Sequence, residues 1–208
     1  EIQTESGQDI GLSMTGGITV ASAPARWEWL QSAYRIFQTI GIEDCYLMTP
    51  QDIKDKCPIM DISGVLGGLW CDREGYVDTT GTVHAYAGAA KKRGATVIEH
   101  TKVEELRQRK DGSWDVITDQ GEFHAEHVVN AGGLWAKQVG RMVGLDLPLS
   151  PLEHHYLLTE TIPEVAALHT ELPMTVDLEG FTYMRQYQKG ILVGIYEINH
   201  KHWNMDGA

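Results

Sequence analysis

The stretch Val129-Asn130-Ala131-Gly132-Gly133-Leu134-Trp135-Ala136 carries the clearest chemical signal in the chain. An apolar run, His127 to Asn130, leads into it, and a helical pattern, Leu134 to Val143, leads out, ended by Gly144. Small residues at the C-terminal end of a strand let backbone approach a bound molecule. The helix that follows offers free N–H groups and positive potential. Holding a dinucleotide is the chemistry such a turn serves, although a glycine turn required only for packing looks the same. The remaining candidates carry less. His124 and His127, and His200 and His202, sit on strand or turn without a cysteine or carboxylate at ligand spacing, so no metal site is expected. No G-x-S-x-G, no P-loop and no Cys–His arrangement marks a nucleophile. Cys45, Cys57 and Cys71 are odd in number and lack a CxxC pair, and they read as small buried thiols in a reducing compartment.

The elements that must position these residues follow from periodicity. Gly17 to Ala21 is a β-branched strand, and Ser22 is placed to cap a helix with Pro24 in its first turn. Trp27, Leu30, Tyr34, Phe37 and Ile40 recur at helical spacing up to Gly41, a short helix follows from Pro50, and Gly64 to Trp70 reads as a strand. Asp78 caps a helix reaching about Arg93, with Val83, Tyr86, Ala87 and Ala90 on one face and Gly94 as the stop. Ala95 to Ile98 is a buried strand. Thr101 to Arg107 and Trp114 to Thr118 form a hairpin about Asp111-Gly112, and Gly121 turns the chain again. Beyond Pro148, Tyr156 to Thr159, Thr182 to Arg185 and Ile191 to Gly194 are strands with only a turn near Ile162 to Ala167 between them. The fold class is α/β in the mixed α+β sense. A Rossmann-like FAD/NAD(P)-binding layer is interleaved with an antiparallel-sheet substrate domain. Residues 1–74 and 148–208 contribute the sheet domain, and 75–147 the cofactor layer with its β-meander.

Composition supports a folded chain and narrows its partners. Of 208 residues 42% are hydrophobic and 22% charged, with 22 glycines and 7 prolines, which excludes disordered, collagen-like and disulfide-scaffold classes. A formal charge of −12 disfavours nucleic acid and anionic membranes, whose phosphates need clustered Lys and Arg. No apolar run is long enough to span a bilayer. The chain opens on Glu1-Ile2-Gln3 and closes on Asn204-Met205-Asp206-Gly207-Ala208, with no terminal element evident at the end, and is expected to be an internal piece truncated at both ends.

The order of these pieces resembles the FAD-dependent amine oxidoreductases of the D-amino-acid-oxidase-like superfamily, and within it the dimethylglycine and sarcosine dehydrogenase branch. Carrying the resemblance are Gly75-Tyr76-Val77-Asp78, Ala89-x-x-x-Arg93-Gly94-Ala95, Thr101-Lys102-Val103, Asp111-Gly112-Ser113-Trp114-Asp115-Val116 and the Ala-Gly-Gly-x-Trp turn. It continues through Pro148-Leu149, Leu152-Glu153-His154-His155-Tyr156, Glu171-Leu172-Pro173, Asp177-Leu178-Glu179-Gly180 and Tyr183-Met184-Arg185-Gln186, so it covers essentially the whole chain and leans to the dimethylglycine side.

That resemblance implies roles. Val103 matches the residue whose backbone meets the adenine of FAD, and Ala131, Gly132, Gly133 and Trp135 match the turn against the cofactor. Tyr183 matches the tyrosine beside the flavin and His154 a histidine lining the amine pocket. These two are the candidate catalytic residues, with a satisfied core aromatic as the alternative for each. Arg185, on the same strand face as Tyr183, is placed either to meet a substrate carboxylate or to form a structural ion pair. His155 points to the opposite face and reads as structural. The implied reaction passes a hydride from the carbon next to nitrogen to the flavin, with a one-carbon unit going to tetrahydrofolate through a domain absent from this chain. Electron-transfer flavoprotein or oxygen is the implied acceptor, and the compartment is cytoplasmic in a bacterium or the mitochondrial matrix in a eukaryote. Sarcosine oxidation is one alternative, and a non-catalytic role like that of a pyruvate dehydrogenase phosphatase regulatory subunit is another. The sequence departs from the family pattern at Thr79, Gly132 and Thr182, and it contains no G-x-G-x-x-G.

Overall fold

The computed structural model describes residues 1–203. Its first stretch contains α1 (Ile2–Ser6), β1 (Gly17–Ala21), α2 (Pro24–Thr39), β2 (Cys45–Met48), α3 (Pro50–Lys56), β3 (Gly67–Cys71) and α4 (Thr79–Lys92). The middle has β4 (Val103–Gln108), β5 (Trp114–Thr118), β6 (Gly121–Ala125), a 3-10 turn (Gly133–Trp135) and α5 (Ala136–Arg141). Last come β7 (His155–Leu158), α6 (Pro163–Ala166), β8 (Met174–Asp177), β9 (Thr182–Tyr187) and β10 (Gly190–Ile195). Contacts divide the described residues into two units, Glu1–Arg93 with His154–Asn199, and Gly94–Glu153 with 200–203. α4 thus packs with the first unit, although the sequence groups it with residues 75–147. The closing residues 204–208, expected to hold no element, lie outside the described residues.

The first unit is built on a seven-stranded sheet in the order β2-β3-β1-β8-β9-β10-β7. Strand alternation explains its two layers. Ile18 on β1 lies opposite Trp70 on β3, and both join Val20, Met48, Ile53 of α3, Cys57, Val165 of α6 and Ile191 in one buried cluster. On the other face Ala21 and Leu69 pack under Leu30 of α2, with Trp27, Tyr34 and Phe37 around them. α2 packs on β2, β3 and β1. Across β8, β9, β10 and β7 the same face presents Tyr183, Arg185 and Tyr187, with Leu192, Gly194, Tyr156 and Leu158 opposite them in register. Tyr156 is 63% exposed and Tyr187 39%. A sheet with one helix-covered half and one open half is the scaffold of the candidate site.

The sheet draws strands from both flanks of the chain, and its ladder is mixed rather than antiparallel throughout. β1 and β8 run parallel, since the long connection between them returns the chain in the same direction. Several local readings also change. α2 has Ala23, not Ser22, as N-cap, because the residue before Pro24 is held extended and the helix starts at the proline. Asp78 does cap α4, accepting from the Gly81 N–H. The buried face of that helix is Gly81, Ala85 and Ala89, whose small side chains let α1 approach, while Val83 and Tyr86 are 66% and 64% exposed.

Cys45 and Cys71 are a disulfide, not two free thiols. The antiparallel register of β2 and β3 sets them directly opposite, Cα to Cα 4.3 Å, a proximity that a separation of 26 residues hides. Only Cys57 keeps a buried thiol, whose ionisation burial pushes up.

In the second unit β4, β5 and β6 form the expected antiparallel meander. The expected strands at 95–98 and 127–130 do not form. Uninterrupted apolar runs are inner strands of parallel sheets and exist only through their neighbours. No described strand pairs with either run, and Val129 is 86% and Ile98 51% exposed. The helix expected from Leu134 to Val143 begins as the 3-10 turn and shortens to α5.

Candidate functional site

Tyr183 stands near the start of β9, and its ladder partner on β10 is Gly194. A Cβ built on Gly194 falls 2.0 Å from Tyr183 Cζ and 2.4 Å from its Oη, so the phenol ring lies directly over the glycine. Beyond β10 the ladder continues for one more bond, with the Tyr196 N–H donating to the Phe181 carbonyl at 2.7 Å. That bond delivers Tyr196 and Glu197 to the cluster. His154, just before β7, stacks on Tyr196 with centroids 4.8 Å apart and an interplanar angle of 24°. Tyr183 completes the group at 6.3 Å from His154 and 5.6 Å from Tyr196. The two candidate catalytic residues, 29 positions apart in sequence, are thereby brought together.

Glu197 and Tyr196 are absent from the sequence-derived site. His154 Nδ1 lies 3.3 Å from Glu197 Oε2, while His155 Nδ1 and the His155 backbone N–H each lie 3.3 Å from Oε1. One carboxylate therefore engages both histidines, and His155, although it starts on the opposite strand face, is tied to the same acid. The Glu197 carboxyl is held down to about 2, first by its own backbone N–H and then by the two histidines, so it is ionised at any working pH. The only trace of this in the sequence is a glycine opposite Tyr183 followed shortly by an aromatic–acid pair.

Arg185 forms no ion pair with a carboxylate among the described residues. Its guanidinium lies over the Tyr76 ring at 4.3 Å and by Tyr187 at 5.6 Å, and Nη1 donates to the Gln186 carbonyl at 3.1 Å. Stacking and partial hydrogen bonding of this kind hold a guanidinium in place while leaving donors over. The Tyr76 hydroxyl donates to Glu171, which also accepts from Ser13 Oγ at 2.9 Å. Burial and that carboxylate push the Tyr76 phenol up, keeping it a neutral donor. Arg185, Tyr76 and Tyr187 line an open cleft of about 360 Å³.

Apart from Tyr183, the cofactor candidates lie in the second unit. Lys102 uses its carbonyl to accept from the Asp119 N–H and its own N–H to reach Asp119 Oδ1, which is the inward side of β4. Alternation turns the N–H and C=O of Val103 to the opposite, unpaired edge of that meander. At the glycine turn, Asn130 Oδ1 accepts from the Gly132 N–H and its Nδ2 donates to the Ala136 carbonyl, knotting the backbone shut. Gly133 has φ +52°, which favours glycine, and a Cβ on Gly132 would meet Asn130 Oδ1 at 3.1 Å. Ala131 and Gly133 are exposed, and Trp135 is 57% exposed. A free strand edge and a bare small-residue turn are what a dinucleotide's adenine and backbone-facing groups require, so these residues fit FAD. Two of the other histidines are engaged locally: His124 faces Asp115 at 3.3 Å, and His202 faces Ser150 at 2.9 Å.

A mixed sheet with an open aromatic face, carried with a meander and a glycine turn, defines a flavoprotein oxidoreductase scaffold. The chain belongs to the FAD dependent oxidoreductase (DAO) family, which matches residues 1–207. It is 39% identical over 201 residues to mitochondrial dimethylglycine dehydrogenase of Mus musculus, covering 96% of this chain and 23% of that protein. It is 31% identical over 208 residues to mitochondrial sarcosine dehydrogenase of Mus musculus, covering 98% of this chain and 22% of that one. Among solved structures, L-proline dehydrogenase from P. horikoshii superposes with TM-score 0.81 at 27% identity, over 95% of this chain and 52% of that one. The chain thus spans under a quarter of the length of these two dehydrogenases.

Proposed function

We propose that this chain forms part of an enzyme that oxidatively demethylates dimethylglycine or a related N-methyl amino acid. The observation that carries the reading is the meeting of Tyr183 and His154 on the uncovered half of the sheet, in a chain of this family. FAD, when bound, supplies the acceptor for the hydride equivalent leaving the carbon next to nitrogen. The edge of Val103 and the turn Ala131-Gly132-Gly133 with Trp135 would hold it. His154 accepts the ammonium proton, since only the neutral amine can give up that hydride. Tyr183 packs against the amine and excludes water. Arg185, clamped by Tyr76 and Tyr187, receives the substrate carboxylate. Removal of the hydride and loss of the proton leave an iminium, which releases a one-carbon unit to tetrahydrofolate held by other parts of the longer protein. Electrons pass on to an electron-transfer flavoprotein or to oxygen. The assigned compartment is the mitochondrial matrix in a eukaryote and the cytoplasm in a bacterium.

The test is product analysis. The full-length protein incubated with dimethylglycine and an electron acceptor should yield sarcosine with FAD present, and Tyr183→Phe should slow its formation while leaving FAD content unchanged. Absence of any demethylated product from dimethylglycine, sarcosine and longer N-methyl amino acids would refute the reading.

A further inference from the structure

We propose that Glu197 is a positioning residue for His154, fixing which ring nitrogen of that histidine takes up the substrate's proton. The inference rests on the functional reading above and deepens it. An ionised carboxylate can only accept hydrogen bonds, so the nitrogen facing it, Nδ1, must carry a proton. In neutral imidazole the other nitrogen, Nε2, then holds the lone pair. Glu197 Oε2 lies 3.3 Å from Nδ1, and Tyr196, the residue before it, stacks on the same ring at 4.8 Å. Two consecutive residues thus set the plane and the tautomer of one imidazole. The groups facing His154 are Tyr183 from β9, Tyr196 and Glu197 from beyond β10, and His155 beside it on the chain. Arg185 stands one pleat further along β9. Of these only Glu197 is a hydrogen-bond partner of the ring, and its second oxygen is occupied by His155, which keeps the carboxylate from swinging away. The carboxylate also keeps the ring oriented while Nε2 accepts the proton.

The experiment uses the full-length flavoprotein with Glu197→Leu, which removes the acceptor, and Glu197→Asp, which shortens it. Solid-state 15N spectra of histidine-labelled protein, with His154 assigned by a His154→Asn variant, report the tautomer without turnover. Anaerobic flavin reduction by dimethylglycine across pH reports the consequence. Wild type should show His154 protonated at Nδ1, and Glu197→Leu should move it toward the Nε2–H form. The pH profile of flavin reduction should change with it, because the acceptor that fixes the ring's tautomer is gone. The plateau rate should fall about tenfold, less than the roughly 10²–10⁴-fold of a proton-transfer group itself, because the base remains in place, and Glu197→Asp should recover part of both. A wild-type His154 protonated at Nε2, or a Glu197→Leu enzyme with tautomer and pH profile unmoved, overturns the proposal. If no N-methyl amino acid reduces the flavin but the tautomer shifts, the functional reading fails and the positioning role stands.

Discussion

Gly194→Ala probes the site through its scaffold. The new Cβ would lie 2.0 Å from Tyr183 Cζ and 2.1 Å from Cε1. Carbon atoms rest at about 3.5–4.0 Å, so the ring must retreat by roughly 1.5 Å or turn away from β10. In a closed core such overpacking costs about 1–3 kcal/mol. Here the ring sits on the uncovered half of the sheet, where it can move outward, so the stability loss should fall at the low end, about 1 kcal/mol. The functional loss should be larger, because displacing a positioned group by about 1 Å can cost on the order of 10²-fold in rate. Full-length Gly194→Ala protein should therefore melt close to wild type, retain FAD, and be reduced by dimethylglycine about 10²-fold more slowly. Combined with Tyr183→Phe, the two losses should be far from additive, since both act through one ring. An unchanged reduction rate in a folded, flavin-loaded Gly194→Ala protein would refute the placement of Tyr183 in the reaction.

Further consequences concern other parts of the structure. Breaking Cys45–Cys71 by Cys71→Ser opens a loop defined by 26 residues of separation, and the chain-entropy relation gives a loss of about 3–4 kcal/mol. Peptide mapping without reduction should recover the two cysteines cross-linked, and two freely alkylated peptides would contradict the pairing. Asp78→Ala removes the side-chain cap of α4 and should cost about 1 kcal/mol in chemical denaturation, whereas a Ser22→Ala change should have no capping effect. Arg185→Lys loses the planar stack on Tyr76 and Tyr187, so KM for dimethylglycine should rise about tenfold with kcat little changed. An unaltered KM would return Arg185 to a structural role. Glu197 has its carboxyl lowered to about 2 from 4.5. A lowered carboxylate stabilises the fold above its unfolded value and loses that contribution as pH falls from about 4.5 towards 2. Glu197→Gln should therefore be less stable than wild type near neutrality and converge on it as the pH falls through that window.

Much of the scaffold could be read in the sequence where one element carries its own signal. Short β-branched and apolar runs marked β1, β9 and β10, the Asp78 cap and Gly94 stop bounded α4, and Asp111-Gly112 with Gly121 marked the meander turns. Reading failed where structure depends on a distant partner. β2 and β8 are four-residue strands held by their neighbours, and the runs at 95–98 and 127–130 have strand composition without a described strand to pair with. The apolar residues of α4 suggested the wrong face, because close helix packing selected glycine and alanine. Cys45 meets Cys71 only through the β2–β3 register. At the site, Tyr183 and His154 were named from family resemblance and Arg185 from strand alternation beside Tyr183, and that they meet, or stack, is supplied by the sheet. Glu197 and Tyr196 escaped because a ladder bond beyond β10, with no motif of its own, brings them to His154.

The most direct test is an anaerobic titration of the full-length protein with dimethylglycine, followed by its flavin absorbance. The account predicts a yellow protein that bleaches completely as one equivalent is added, and much more slowly when Tyr183 is phenylalanine. A colourless protein, or a bound flavin that neither dimethylglycine nor any other N-methyl amino acid reduces, would contradict it.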